Sequence, residues 1–122
     1  EKKIDQAIIR EAVEVMGEDL PGHFDGALSK MLVTPSNAPT KYFDFRLSTY
    51  QPKGFVAKHK HDQEEQIYYM IEGEGLMELE GERKVVRAGA TIFIPSRVEH
   101  ALYNTGTTNL TFLVITSPPL AA

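Results

Sequence analysis

The sequence contains no cysteine and no tryptophan among its 122 residues. The missing cysteine excludes disulfides, thiolate metal ligands and cysteine nucleophiles together, and it fits a cytoplasmic protein. No run approaches the roughly 18 apolar residues that a membrane span needs, and no charged-then-apolar leader stands at the start. The chain begins at Glu1 instead of a methionine, which leaves its natural start open.

The sequence also lacks an excess of basic residues. Its formal net charge is -4, and charges of both signs are scattered along the chain. A nucleic-acid partner would require a basic face. The length suits one domain with one core, so we expect a small-molecule partner and neither a nucleic-acid nor a membrane partner.

Two periodicities divide the chain. Apolar residues near the start recur at close to helical spacing and stop at Gly17 and Pro21-Gly22, which predicts a short amphipathic helix in an N-terminal segment 1–22. After residue 30, short alternating segments are separated by Gly, Pro and Asn turns, as in an antiparallel sandwich or barrel. We assign residues 23–118 to this all-β domain and residues 119–122 to a tail.

Three of the four histidines lie in the strand-rich part. His59 and His61 are one residue apart, so on a strand both rings point the same way. A neighbouring strand of a small barrel can bring His100 opposite this pair. Three neutral imidazoles that converge suit a divalent first-row metal. His23, in the loop "PGHFDG", is expected at the surface.

Two segments of the chain resemble the motifs of the cupin family. The second motif is matched at Gly89, Pro95, His100 and Asn104 within "GATIFIPSRVEHALYN". The first motif is matched at His59, His61 and Gly73 within "GFVAKHKHDQEEQIYYMIEG". The resemblance covers residues 54–104 and implies an antiparallel double-stranded β-helix, or jelly-roll barrel, with a short N-terminal helix here.

The sequence departs from the family pattern at three positions. Gly54 stands one residue too close to the histidine pair, with Lys53 in the usual glycine position. Arg97 replaces the glycine of the second motif, so its turn must avoid positive φ or hold it at a cost. Counting back from Gly73 to the family's glutamate position reaches Gln66 instead.

The fourth metal ligand is therefore open between several side chains. Glu65 has the family's spacing from His61, but that count crosses the irregular segment "DQEE". The count from Gly73 stays within continuous strand, where side chains alternate strictly, and it favours Gln66. The resemblance implies one divalent transition metal ion (Zn, Ni, Mn or Fe) on His59, His61, His100 and Gln66; Glu65, Glu64 or no fourth protein ligand are the alternatives.

Two further side chains are candidates for contact with a ligand. Tyr68 shares the face of Gln66 and is a candidate proton donor, although a core aromatic is the simpler interpretation. Arg46 could bind a carboxylate. In the strand "KYFDFRLSTY", however, we expect Phe43, Phe45 and Leu47 to form the buried apolar face, which would leave Arg46 exposed or at an interface.

The family resemblance implies three classes of function. A neutral ligand set leaves the charge of the metal uncompensated and favours Lewis-acid chemistry, so the leading hypothesis is an isomerase or lyase acting on a small oxygen-rich organic acid or sugar-derived carbonyl compound. The alternatives are an Fe-, Mn- or Ni-dependent dioxygenase and a non-enzymatic module that binds a small ligand or a metal. Cupins commonly pair through their sheets, so we also expect a homodimer.

Overall fold

The computed structural model describes residues 6–120, which form eleven β-strands and one 3-10 turn. The strands are β1 (Glu18–Asp19), β2 (His23–Phe24), β3 (Ala27–Val33), β4 (Asp44–Tyr50), β5 (Phe55–His59), β6 (Glu65–Glu72), β7 (Glu74–Leu79), β8 (Glu82–Arg87), β9 (Thr91–Ile94), β10 (His100–Tyr103) and β11 (Leu110–Ser117). No helix of the described residues has the length and apolar character that a bilayer span requires.

The strands form two antiparallel sheets. One sheet has the order β1-β3-β4-β11-β6-β9 and the other β2-β5-β10-β7-β8. Side chains from both sheets meet in one core; Met70 and Phe112 come from the first, Met77 and Leu102 from the second. The predicted all-β jelly roll is confirmed.

The predicted N-terminal helix is wrong over the described part of residues 1–22. Residues 1–5 lie outside the described residues, and the remainder contains no α-helix, only the 3-10 turn at Ala12–Glu14 and the two-residue strand β1. Ile9 and Met16 are 96% and 84% exposed, while Ile8, Ala12 and Val15 are half-buried, so the apolar residues do not pack as one helical face. A short helix without such packing is only marginally stable. Polar contacts hold the segment instead, since the Arg10 guanidinium donates to the carbonyl of Leu32 and, at 2.8 Å, to that of Asn37.

The interior of the first sheet changes from polar to apolar along its strands. At one end Gln66 on β6 pairs with Thr116 on β11, which pairs with Asp44 on β4. All three side chains are buried. At the other end the paired residues Tyr50 and Leu110 belong to the apolar core. The polar end faces the histidine-bearing end of the other sheet, and this juxtaposition forms the site.

The predicted inward face of β4 is the wrong one. Alternate residues from Asp44 to Tyr50 are buried, including Arg46 at 8% exposure. The apolar residues Phe45 and Leu47 lie on the outer face, opposite Ile115 and Leu113 of β11. Apolar side chains fail to identify the inner face here because the interior at this end is a polar cavity.

Two turns hold non-glycine residues at positive φ where the family pattern has glycine. Lys53 has a φ of 81° and Arg97 a φ of 67°. The backbone N–H of Arg97 donates to the carbonyl of His61 at 2.7 Å. The turn of the second motif therefore positions the segment that carries one histidine of the first motif.

Candidate metal centre

The three histidines of the two motifs meet where the sheets face each other. His59 lies at the end of β5, directly paired with His100 at the start of β10. His61 follows β5, and its ring is 4.9 Å from that of His59 and 5.5 Å from that of His100. One nitrogen from each ring lies within 4.8 Å of the other two. The three imidazoles are thus close enough to share one ion.

Backbone carbonyls determine which ring nitrogens face the centre. Nδ1 of His59 lies 2.7 Å from the carbonyl of Ala57, and Nδ1 of His100 lies 2.9 Å from that of Val98. A carbonyl only accepts, so each Nδ1 carries the proton and each Nε2 keeps a free lone pair. Nε2 of His61 and of His100 are buried without a hydrogen-bond partner. A ring that donates one N–H to a carbonyl and keeps its other nitrogen free is suited to metal binding.

Burial keeps the histidines of the cluster neutral. It lowers the pKa of His100 from 6.5 to about 4, while the bond to the Val98 carbonyl partly opposes the shift. Burial likewise lowers the pKa of His59 and His61. Neutral imidazoles are the form in which histidine binds a metal.

Gln66 presents a free amide oxygen on the facing sheet. Its side chain is 1% exposed, and its amide nitrogen donates to Thr116 Oγ1 at 3.0 Å. This bond orients the amide, and it leaves Oε1 buried without a partner. A buried acceptor without a partner costs about 1 to 3 kcal/mol, which a metal ion would offset. The orphaned nitrogens and this oxygen form a donor set that fits a divalent first-row metal.

The acidic alternatives to Gln66 lie elsewhere. Strand β6 alternates strictly, so Glu65 points outward and is exposed while Gln66 points inward. Glu64 is half-buried, and its charge raises the pKa of His61 slightly against the larger effect of burial. The placement of the three residues favours Gln66 as the fourth ligand.

A cavity of about 610 Å³ adjoins the cluster. Its wall includes His59, His61, His23, Asp44 and Arg46. His23, expected at the surface, is half-buried; its ring forms part of this wall, and Nδ1 bonds the carbonyl of Pro21 at 2.9 Å. Arg46 was expected to be exposed or at an interface, and Asp44 was not among the predicted site residues. In "YFDFRLSTY" the charged residues alternate with aromatic or apolar ones, and this alternation already places Asp44 and Arg46 on one face of the strand.

Tyr68 lies deeper, between the cluster and the apolar core. Its ring stacks on Phe112 at 5.4 Å and meets the ring of His100 edge-on at 6.4 Å. Burial raises the pKa of Tyr68, and the nearby charge of Arg46 only partly opposes this. The phenol therefore keeps its proton at neutral pH, as a hydrogen-bond or proton donor requires.

Comparison with known proteins agrees with this fold. Residues 46–116 match the Cupin domain family. That segment is more than half of the chain, and the protein belongs to the cupin family.

The reported relatives cover between half and nine-tenths of the chain. An uncharacterised protein of Methanocaldococcus jannaschii is 44% identical over 61 residues, which are 50% of this chain and 49% of that protein. An oxalate-binding protein of Thermotoga maritima is 39% identical over 64 residues, 52% of this chain and 53% of that protein. The chain thus spans about half the length of the curated relatives it matches. The crystal structure of a predicted oxalate decarboxylase from Thermotoga maritima has a TM-score of 0.81 at 27% identity and covers 90% of this chain and 98% of that chain.

Proposed function

We propose that the protein binds one divalent transition metal ion through His59, His61, His100 and Gln66, and that it acts on a small oxygen-rich organic acid at this site. The observation that carries the proposal is the set of buried donor atoms without partners, contributed by both sheets. Such orphaned groups are rare in a folded protein and call for an explanation. A shared ion would pair three of them at once, Nε2 of His61, Nε2 of His100 and Oε1 of Gln66.

The metal would supply Lewis-acid polarisation of a carbonyl or carboxylate oxygen. The four proposed ligands are neutral, so none of them compensates its charge. A carboxylate in place of Gln66 would remove one unit of that charge, which matters most in a poorly solvated site. The neutral set therefore favours polarisation and proton transfer over oxidation of the metal.

The remaining side chains would position the ligand and donate a proton. Tyr68 keeps its proton because burial raises its pKa, so we assign it the role of hydrogen-bond or proton donor to a ligand oxygen. Leu20, Met31 and Val56 form apolar parts of the cavity wall. This combination supports an isomerisation or lyase step.

A second candidate is a binding module without catalysis. The Thermotoga maritima relative described as an oxalate-binding protein supports this alternative. Both functions share the metal and the class of ligand, small carboxylic acids. Turnover distinguishes them: a module binds oxalate or a related acid and returns it unchanged.

Metal loading tests the proposal directly. The protein is stripped with EDTA, equilibrated separately with Zn²⁺, Ni²⁺, Mn²⁺ and anaerobic Fe²⁺, desalted, and analysed for metal content. We expect one ion per chain for at least one metal and loss of loading in His61→Gln. His23→Gln is the matched control, because His23 lies in the same cavity wall outside the cluster. Loading that His61→Gln leaves unchanged would refute the assigned site.

We also propose that the protein is a homodimer that pairs through the outer face of the first sheet. A row of apolar side chains crosses this face from Phe93 through Ile67 and Ile115 to Phe45. The first three are 54%, 41% and 40% exposed, an arrangement typical of a surface that a partner covers. Light scattering after size exclusion measures the mass, and a monomer in both wild type and Ile67→Lys would contradict the proposal.

A further inference from the structure

Arg46 is a buried cation without a counter-ion. It is 8% exposed, and its Nε has no hydrogen-bond partner. None of the ion pairs found among residues 6–120 includes it. Removing one partner from a buried ion pair is strongly unfavourable, because the remaining charge has lost its hydration without compensation. The Tyr68 hydroxyl interacts with the guanidinium, but Nε has no acceptor among the described residues, and a bound ligand could supply one.

The guanidinium belongs to the same cavity as the histidine cluster. Arg46 and the histidines of the first motif line one wall, and the charge of Arg46 lowers the pKa of His59, His61 and His100. Lys58 also borders the cavity, but its ammonium is engaged with Glu78 at 3.2 Å. Arg46 is thus the cation available to a ligand in the cavity.

Asp44 provides the only partial compensation among the described residues lining the cavity. It is 1% exposed; Oδ2 accepts the backbone N–H of Leu120 at 2.9 Å, and Oδ1 is buried without a partner. With a divalent ion on neutral ligands, the cavity holds the charges of the metal, Arg46 and Asp44. The surplus is two positive charges, which a ligand with two negative charges would neutralise.

We propose that Arg46 is the carboxylate anchor of this site and that the ligand is a small dicarboxylate, with one carboxylate on the guanidinium and the other directed to the histidine cluster. The planar guanidinium fork matches the two oxygens of a carboxylate. The cavity has the volume typical of small-molecule sites. This inference rests on the proposed function for the position of the metal, while the role of Arg46 depends on its own burial and missing counter-ion.

Calorimetric titration with oxalate tests the anchor. Wild type, Arg46→Met, Arg46→Lys and the control Arg87→Met are loaded with Ni²⁺, and metal content is measured before and after titration. Arg87 is exposed on β8 and pairs with Glu74, away from the cavity. We expect metal content to be equal in all four proteins and oxalate affinity to fall roughly 10- to 150-fold in Arg46→Met, the range of one charged hydrogen-bonding contact.

The lysine variant separates charge from geometry. Arg46→Lys keeps the charge and loses the fork, so its affinity should lie between those of wild type and Arg46→Met. Oxamate, in which an amide replaces one carboxylate of oxalate, tests the count of charges. Wild type should bind oxamate at least about tenfold more weakly than oxalate, and equal affinities would contradict the requirement for a dianion.

Stability without ligand provides an independent measurement. If Arg46 had a structural role, replacing it would destabilise the protein. If it is an uncompensated buried charge, replacing it removes a cost to stability. We expect metal-free Arg46→Met to be as stable as wild type or more so, and oxalate to raise the melting temperature of wild type but not of Arg46→Met.

The outcomes separate failure of the anchor from failure of the metal site. Normal metal loading with unchanged oxalate affinity in Arg46→Met overturns the anchor and leaves the metal site intact. If wild type takes up no metal, the proposed function fails. The role of Arg46 as anchor is then supported only if metal-free wild type binds oxalate weakly and Arg46→Met does not bind it. If wild type binds no oxalate with or without metal, the role of Arg46 as anchor is refuted.

Discussion

Acidification is expected to destabilise the metal-free protein through its buried histidines. His100 is 1% exposed, and burial lowers its pKa from 6.5 to about 4. In the unfolded chain its pKa returns to about 6.5. Between these values the unfolded state binds a proton that the folded state does not, so the free energy of unfolding decreases as the pH falls. Above the unfolded value this contribution to stability is fully present.

The size of the effect follows from the two pKa values. Between pH 7.5 and pH 5, His100 alone is expected to lower the free energy of unfolding by about 2 kcal/mol. Burial also lowers the pKa of His23, His59 and His61, which adds to the loss in the same direction.

Urea denaturation followed by far-UV circular dichroism measures the loss, because the chain has no tryptophan to report unfolding. Titrations in EDTA at pH 7.5, 6.5, 5.5 and 5 give the free energy of unfolding by linear extrapolation. His100→Gln removes the titrating imidazole and should reduce the loss by about 2 kcal/mol. The reasoning is refuted if wild type is equally stable at pH 7.5 and pH 5, or if His100→Gln shows the full wild-type loss.

Three further substitutions test the site and the turns that hold it. Gln66→Leu should weaken metal binding at least about tenfold, measured by competition with a fluorescent chelator. The control Glu65→Gln, on the outward face, should have no effect. Equal metal affinity of Gln66→Leu and wild type would exclude Gln66 as a ligand. Asn104 donates to the carbonyls of Tyr50 and Thr108 and accepts from the backbone N–H of Gly106. Asn104→Ala should therefore lower the free energy of unfolding, measured by urea denaturation, by about 2 to 4 kcal/mol. A loss under about 1 kcal/mol would contradict a stabilising role of these three hydrogen bonds. Arg97→Gly should leave stability unchanged or raise it by up to about 1 kcal/mol, because glycine relieves the positive φ; a marked loss would show that the arginine side chain stabilises its turn.

The histidine cluster could be predicted from the sequence because its spacings are local. His59 and His61 share a face by alternation alone, and the same alternation separated the inward Gln66 from the outward Glu65. The distance between His100 and this pair depends on how strands pair, and there the family's second motif supplied the missing information. The assignment of these four residues as ligands stays a prediction until metal loading is measured.

Other predictions failed because the burial of a side chain depends on which part of the fold faces it, which the local sequence pattern does not show. The first residues have helical periodicity, but Ile9 and Met16 stay exposed and the apolar side chains are not buried as one face, so the helix does not form over the described residues. On β4, polarity predicted the wrong face. Arg46 and Asp44 point inward because that end of the barrel contains a cavity, and the outer face carries the apolar residues.

The sequence by itself determined the class of fold, the family, and the residues that converge as metal-binding candidates, since strand alternation and motif spacing are properties of the chain taken a few residues at a time. Only the tertiary structure decided that a buried, uncompensated arginine and a buried aspartate share a cavity with the histidines. Burial depends on which strands and which end of the opposing sheet face a side chain. That partner is distant in sequence, and its identity cannot be read from the local alternation of polar and apolar residues.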